Sequence, residues 1–207
     1  MSGSGRPHKG ESEIHLAVRH FDAHLPLDEY QRLPKNPLYI ILDNLRSAFN
    51  VGAIFRTCDT LRLSGLYLCG CTAFPPHIKL AKSSMGTVDY VPWKHFETTV
   101  DAVRFLKQQG IPVWAAETTS RSKSYNEVVY PAKLGIVFGN EALGVEQAVL
   151  DECDELIEIP LYGFKNSLNV ATSCGIIGFR AVEGIASTPP RLRSGSVSES
   201  AEGHILN

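Results

Sequence analysis

Five short runs rich in apolar residues, at 38–42, 65–69, 111–116, 134–138 and 155–159, alternate with segments of helical pattern at 54–63, 98–109, 145–151 and 168–186. That alternation leaves few folds open. Strands joined through helices run parallel, and strands apolar along their whole length must be covered on both faces. The chain is therefore expected to form an α/β domain, a mostly parallel sheet with helices on both faces. Ahead of the first strand, H-L-A-V-R-H-F and L-D-E-Y-Q-R-L within residues 14–33 are predicted as one or two short helices. Asp28 and Glu29 fall near a helix start, where carboxylates complement the partial positive charge.

A chain of 207 residues, 43% hydrophobic and 20% charged, can bury a substantial core as one domain. Residues 1–12 and 187–207 are polar or Ser-rich, and Pro189 and Pro190 act as a stop signal. Both are expected to be disordered flanks of a domain covering 13–186. The apolar runs fall short of the roughly 18 residues a membrane span needs. The polar N-terminus carries no secretory signal, so a cytoplasmic protein is expected. The five cysteines are an odd number, four of them in apolar runs or predicted helices, which fits buried free thiols rather than a disulfide framework. No metal is expected: Cys69 and Cys71 have the wrong spacing for zinc, and His20 and His24 lack a third ligand. A net charge of −2 excludes a generally basic coat and leaves room for a local basic patch.

In a covered parallel sheet, ligands bind in the loops after the carboxyl ends of the strands. Four loops there are rich in Gly, Asn, Ser or Thr: D-N-L-R-S-A-F-N-V-G, E-T-T-S-R-S-K-S, G-N-E-A-L-G-V and P-L-Y-G-F-K-N-S-L-N. Together they suggest one composite site. Neither G-x-G-x-x-G nor G-x-x-x-x-G-K-[ST] occurs, which disfavours a dinucleotide enzyme and a P-loop. The absence of G-x-S-x-G removes the setting for a hydrolase nucleophile. Glu141, inside G-N-E-A-L-G, would repel phosphate and would suit a ribose hydroxyl, an amine or a cation.

Three pieces stand in order along the chain: N-L-R-S-A-F-N-V-G-A-I-F-R-T-C-D, I-V-F-G-N-E-A-L-G-V and I-E-I-P-L-Y-G-F-K-N-S-L-N-V-A-T-S-C-G-I. They resemble the three motifs of the SpoU (TrmH-like) RNA ribose 2'-O-methyltransferases of the SPOUT superfamily, over roughly residues 38–186. The resemblance implies a sheet whose C-terminal part forms a deep trefoil knot, a rare exception to chain-threading rules. It implies S-adenosylmethionine (AdoMet) bound in that knot, and homodimers paired through the helix starting at Leu168. The small face of that helix, Ala171, Cys174, Gly175, Gly178 and Ala181, suits close packing, although an intramolecular core would look the same.

Residue by residue, the resemblance makes Arg56, Asn50, Glu141, Ser167 and Asn169 the catalytic group. Thr118, Gly139, Ile159 and Leu168 become cofactor contacts. Arg46, Lys79, Lys82, Arg121, Lys123 and Lys165 are candidate RNA-binding residues, since basic side chains in site loops would engage phosphates. Simpler readings stand beside these: Arg56 paired with Asp59 on a helix surface, Asn50 as a helix cap before Gly52, Ser167 as the cap of the last helix. A guanidinium stays protonated, so Arg56 is better suited to binding phosphate and stabilising a nascent alkoxide than to acting as a base. The expected substrate is tRNA or rRNA, with tRNA favoured by analogy to compact relatives. Many relatives carry a further N-terminal RNA-binding domain; none is expected here, so the dimer or the flanks would present the RNA surface. Alternatives are a base methyltransferase of the same superfamily, and an RNA-binding protein of this fold without catalysis.

Overall fold

The computed structural model describes residues 25–185. The expectations for 1–12, for H-L-A-V-R-H-F with His20 and His24, and for 186–207 lie outside the described residues. Helix α1 (Leu27–Arg32) leads into β1 (Asn36–Asp43), α2 (Ala48–Thr60), β2 (Leu63–Cys69), α3 (Ile78–Ser84), a 3-10 turn (Thr87–Asp89) and β3 (Trp93–Phe96). There follow α4 (Thr99–Lys107), β4 (Val113–Ala116), β5 (Lys123–Ser124), β6 (Leu134–Phe138), α5 (Gln147–Glu152), β7 (Glu155–Glu158) and α6 (Val170–Gly184). The seven strands form one sheet in the order β3-β2-β1-β6-β4-β7-β5, and every neighbouring pair is parallel.

The expected α/β sheet covered on both faces is what forms, and strand alternation builds its two cores. Leu38, Ile40, Leu42, Leu66, Leu68, Leu134, Ile136 and Phe138 point to one side, against Val51, Ile54, Phe55 and Cys58 of α2, Leu80 of α3, and Cys174 and Ile177 of α6. Ile41, Tyr67, Val113, Ala115 and Val137 point to the other, against Ala102, Val103 and Leu106 of α4 and Val149 of α5. Being buried on both faces is why these strands read as unbroken apolar runs. The thiols of Cys58, Cys69 and Cys174 are among the buried groups, and all five cysteines are free. Burial pushes Cys69, Cys153 and Cys174 up to about 12, which keeps these thiols protonated.

The differences from expectation have simple causes. Strands β3 (W-K-H-F) and β5 (K-S) escape sequence reading because they are short edge strands with polar residues on a solvent side. The segment after β2 that carries Lys79 and Lys82 is helix α3, with His77 as its N-cap and exit through Met85 and Gly86 at positive φ. Helix α2 begins at Ala48, six residues before the predicted start, so Asn50 and Gly52 are inside the helix and not in a turn. Its cap is Ser47, whose hydroxyl accepts from the Asn50 N–H at 3.3 Å. Helix α6 begins at Val170, capped by Asn169 rather than Ser167. Cys174, Gly178 and Ala181 are buried within the protomer, with Leu61 3.0 Å from where a Gly178 Cβ would stand, so these three belong to the intramolecular core, while Ala171 and Gly175 are only partly buried.

Gly52 has a packing role. A Cβ there would come within 2.6 Å of the Ser83 Cβ and 2.9 Å of the Ser83 carbonyl carbon, so α2 and α3 touch backbone to backbone. Gly52→Ala gains about 1 kcal/mol of helix propensity but overpacks a tight contact, which costs about 1–3 kcal/mol. The expected result is a lower urea midpoint, partly restored by Ser83→Gly in the same chain. An unchanged or raised midpoint in the single variant would contradict this close approach.

Candidate active site

All seven strands point the same way, so the loops after β1, β4, β6 and β7 emerge at one edge of the sheet. There the three motifs meet through side chains far apart in sequence. The Glu141 carboxylate accepts from the backbone N–H groups of Arg46 at 3.2 Å and Ser47 at 3.3 Å, and from Asn50 Nδ2 at 3.0 Å. Asn50 Oδ1 accepts from Asn169 Nδ2 at 3.1 Å. Asn169 Oδ1 in turn accepts from the N–H groups of Ala171 at 2.9 Å and Thr172 at 3.3 Å, the first turn of α6. One chain of hydrogen bonds thus runs from the N-terminal end of α2 to that of α6.

The local chemistry explains each link. The opening N–H groups of a helix lack intrahelical partners and carry partial positive charge, so a carboxylate beside α2 and an Asn before α6 are both stabilising. Burial works to raise the Glu141 carboxyl, but the hydrogen bonds from Asn50, its own backbone, Arg46 and Ser47 outweigh it and hold it below the ordinary 4.5. With its oxygens engaged by these donors, Glu141 orients loops; it is poorly placed to take a proton.

The other predicted catalytic residues lie outside this chain. Arg56 is exposed, two helical turns along α2 on the same side as Phe49, and makes no ion pair among the described residues. The expected partner Asp59 accepts instead from the Tyr30 hydroxyl at 2.7 Å. Ser167 is exposed in the loop before α6 and caps nothing.

Three supporting residues escaped sequence reading. Asn140 folds its own loop, accepting from the Ala142 N–H at 2.9 Å and donating to the Asn44 carbonyl at 2.6 Å. Asp43, fully buried at the end of β1, accepts from the Thr99 hydroxyl at 2.6 Å and the Glu146 N–H at 3.1 Å. Glu117, after β4, accepts from the Thr118 N–H at 3.0 Å and the Val145 N–H at 2.9 Å. Short polar residues in loops carry no periodic signal; only their position just after a strand could have pointed to them.

The predicted cofactor residues converge. Thr118, Gly139 and Ile159 follow β4, β6 and β7, three adjacent strands, and Leu168 stands just before α6. At Gly139 a Cβ would meet the Val145 N and lie 2.7 Å from the Gly144 carbonyl oxygen, so only glycine lets the loop fold back there. Exposed Leu143 and Leu168 add apolar surface near these loops. Backbone polar groups and apolar walls are the donor set a nucleoside needs, so the residues present fit an adenosine-containing cofactor.

The predicted RNA-binding residues split. Arg46 and Lys79 share a cleft, and Lys82 is on α3 beside them. Lys123 is in β5 rather than in a loop, and its ammonium pairs with Glu155. Arg121 borders Asp151, Asp154 and Glu155. Lys165 lies over the Phe164 ring, 5.8 Å from its centroid. Residues 141–158 carry no Lys or Arg, and their carboxylates are partly neutralised by other elements: Arg104 pairs with Glu152, Lys107 with Asp154 and Lys123 with Glu155.

The SpoU rRNA Methylase family matches residues 37–179. A tRNA (guanosine(18)-2'-O)-methyltransferase of Thermus thermophilus is 30% identical over 155 residues, 75% of this chain and 79% of that protein. The structure of the A. aeolicus TrmH/SpoU tRNA modifying enzyme matches with a TM-score of 0.69 at 28% identity, over 76% of this chain and 80% of the other. An AdoMet-bound rRNA methyltransferase from Sinorhizobium meliloti gives a TM-score of 0.67 at 29% identity, over 76% of this chain and 61% of that longer one. Sheet, loops and linked motifs together define an RNA methyltransferase of the SPOUT class. Within it, the chain belongs to the SpoU rRNA Methylase family.

Glu141 ionises more readily folded than unfolded, so its contribution to stability is complete above the unfolded value near 4.5 and is lost as pH falls through the lower folded value. The gap in urea midpoint between wild type and Glu141→Gln is expected to be widest at neutral pH and to close under acid. A gap that does not vary with pH would show that the ionised carboxylate is not what holds these loops.

Proposed function

We propose that this chain uses AdoMet to methylate a ribose 2'-hydroxyl of RNA, with tRNA favoured over rRNA. The observation that carries the reading is the Glu141–Asn50–Asn169 chain, which joins the three family motifs into one site. AdoMet supplies a methyl group on a sulfonium whose sulfur departs neutral, so no acid is needed for the leaving group. The work left to the protein is to hold the ribose in line and to stabilise its oxygen as the hydroxyl proton passes to solvent water. Arg56, which pairs with no carboxylate among the described residues, is suited to bind the adjacent phosphate and stabilise that oxygen. Asn50 and Asn169 fix the two helix starts on which Arg56 and the Ser167 loop depend, and Ser167 is exposed. Thr118, Gly139, Ile159 and Leu168 would hold the cofactor.

Three further features belong to the same reading. Strand β7 lies between β4 and β5, which precede it in the chain, an arrangement that accords with a C-terminal segment threaded as a trefoil knot. Pairing of two copies would use the outer side of α6, where Thr172 and Phe179 are exposed and nothing lies beside Gly175. No helix among the described residues is long and apolar enough to cross a membrane, and a cytoplasmic location suits the free thiols.

The test is transfer of labelled methyl from AdoMet to total tRNA and, separately, to rRNA. Arg56→Ala is expected to lose about 10²–10³ in rate while binding AdoMet as wild type does by calorimetry, and digestion should place the label on ribose. Label on a base ring, or wild-type rates in Arg56→Ala, would overturn the assignment. Phe179→Asp should shift light-scattering mass from dimer to monomer; an unchanged dimer would move the interface elsewhere.

A further inference from the structure

Beside the active site, the loops after β1 and β2 enclose a cleft of ≈ 550 Å³ whose walls include Arg46, Phe49, Phe74 and Lys79. Its size falls within the roughly 300–1,000 Å³ typical of ligand pockets. Phe49 is 62% exposed and Phe74 41%, so both rings offer apolar surface to the cleft. Each ring is set on a defined element. Phe49 is in the first turn of α2, and Phe74 leans on His95 with ring centroids 4.1 Å apart at 34°. The cleft has no Asp or Glu in its lining, and Arg46 and Lys79 take part in no ion pair among the described residues.

The occupant must therefore be flat, offer a π face and carry negative charge. AdoMet fits poorly, because its sulfonium is cationic and it has no phosphate. A nucleotide in a stacked duplex also fits poorly, since its base faces are already covered. An unpaired nucleotide meets every demand: base on aromatic ring, phosphate on guanidinium or ammonium. The cleft is also continuous with the catalytic cluster, because Arg46 and Ser47, both on its wall, are the residues whose N–H groups Glu141 holds.

Resting on the RNA reading above, we infer that this cleft holds an unpaired base of the substrate next to the methylated nucleotide, stacked on Phe49 and Phe74 with its phosphates on Arg46 and Lys79. The enzyme then acts where RNA is single-stranded or locally opened, and the cleft selects for that state before chemistry begins.

Fluorescence anisotropy with an unstructured RNA of about 12 nucleotides, alone and annealed to its complement, tests the inference. Wild type should prefer the single strand. Phe49→Ala and Phe74→Ala should each raise the single-strand Kd about tenfold or more with little change for the duplex, and Phe49→Trp should restore binding. AdoMet affinity in the same variants confirms that they are folded. A single-strand Kd unmoved by both alanine variants, or a changed oligomeric mass with unchanged RNA binding, overturns it; the latter would make the face a protein contact. The two readings fail separately. If wild type transfers no methyl to any RNA yet shows a Phe49-dependent single-strand preference, the enzymatic proposal falls and the cleft stands. If wild type methylates RNA and the alanine variants leave the KM for RNA unmoved, only the cleft falls.

Discussion

The carboxylate of Glu141 holds together segments that the chain keeps far apart. By accepting from two backbone N–H groups before α2 and from Asn50 within it, it fixes how the loop after β6 meets the start of α2. Asn50 can then present its oxygen to Asn169, and Asn169 can cap α6. Helix starts are the natural place for such a joint, because their unpaired N–H groups want an acceptor whatever the function. The site uses that structural demand to set its own geometry, so folding and preorganisation share the same bonds.

A second layer supports the first. Asp43 and Glu117 stand at the ends of β1 and β4, and each reaches across to the segment at Val145–Glu146, where the loop after β6 turns into α5. That loop, which carries Glu141, is thus gripped from both neighbouring strands of the sheet. Gly139 and Gly144 complete the grip, since the backbone passes too close to itself there for a side chain at Gly139. An element held by rigid strands needs little further ordering when a ligand arrives.

Much of this was legible before the structure, and the limits are instructive. The central strands β1, β2 and β6 announce themselves because burial on both faces removes polar residues from them, whereas Trp93–Phe96 and Lys123–Ser124, at the two edges, must keep polar groups toward water. The motif residues Asn50, Glu141 and Asn169 were found by resemblance, but what joins them was not, because a hydrogen bond between residues 119 apart leaves no trace in local pattern. Gly52 invited a loop reading since glycine marks turns more often than helix contacts; only the position of Ser83 on another helix reveals its purpose. Ser167 reads as the cap of the last helix in sequence, and Asn169 takes that place because α6 starts at Val170. Phe49 and Phe74 carry no pattern either, since the two line one cleft only when the β1 and β2 loops lie side by side.

The ion pairs on the far side of the molecule have a consequence for encounter. Arg104, Lys107 and Lys123 are spent on Glu152, Asp154 and Glu155, while Arg46, Arg56, Lys79 and Lys82 on α2, α3 and the loop before α2 have no such partners among the described residues. With a net charge of only −2, the protein neither attracts nor repels a polyanion strongly as a whole. The basic groups on α2, α3 and the loop before α2 would instead favour approach of a polyanion from that side, within a screening length of about 8 Å at physiological salt. Orientation then precedes contact, and a weakly acidic protein can search a pool of nucleic acid without clinging to it.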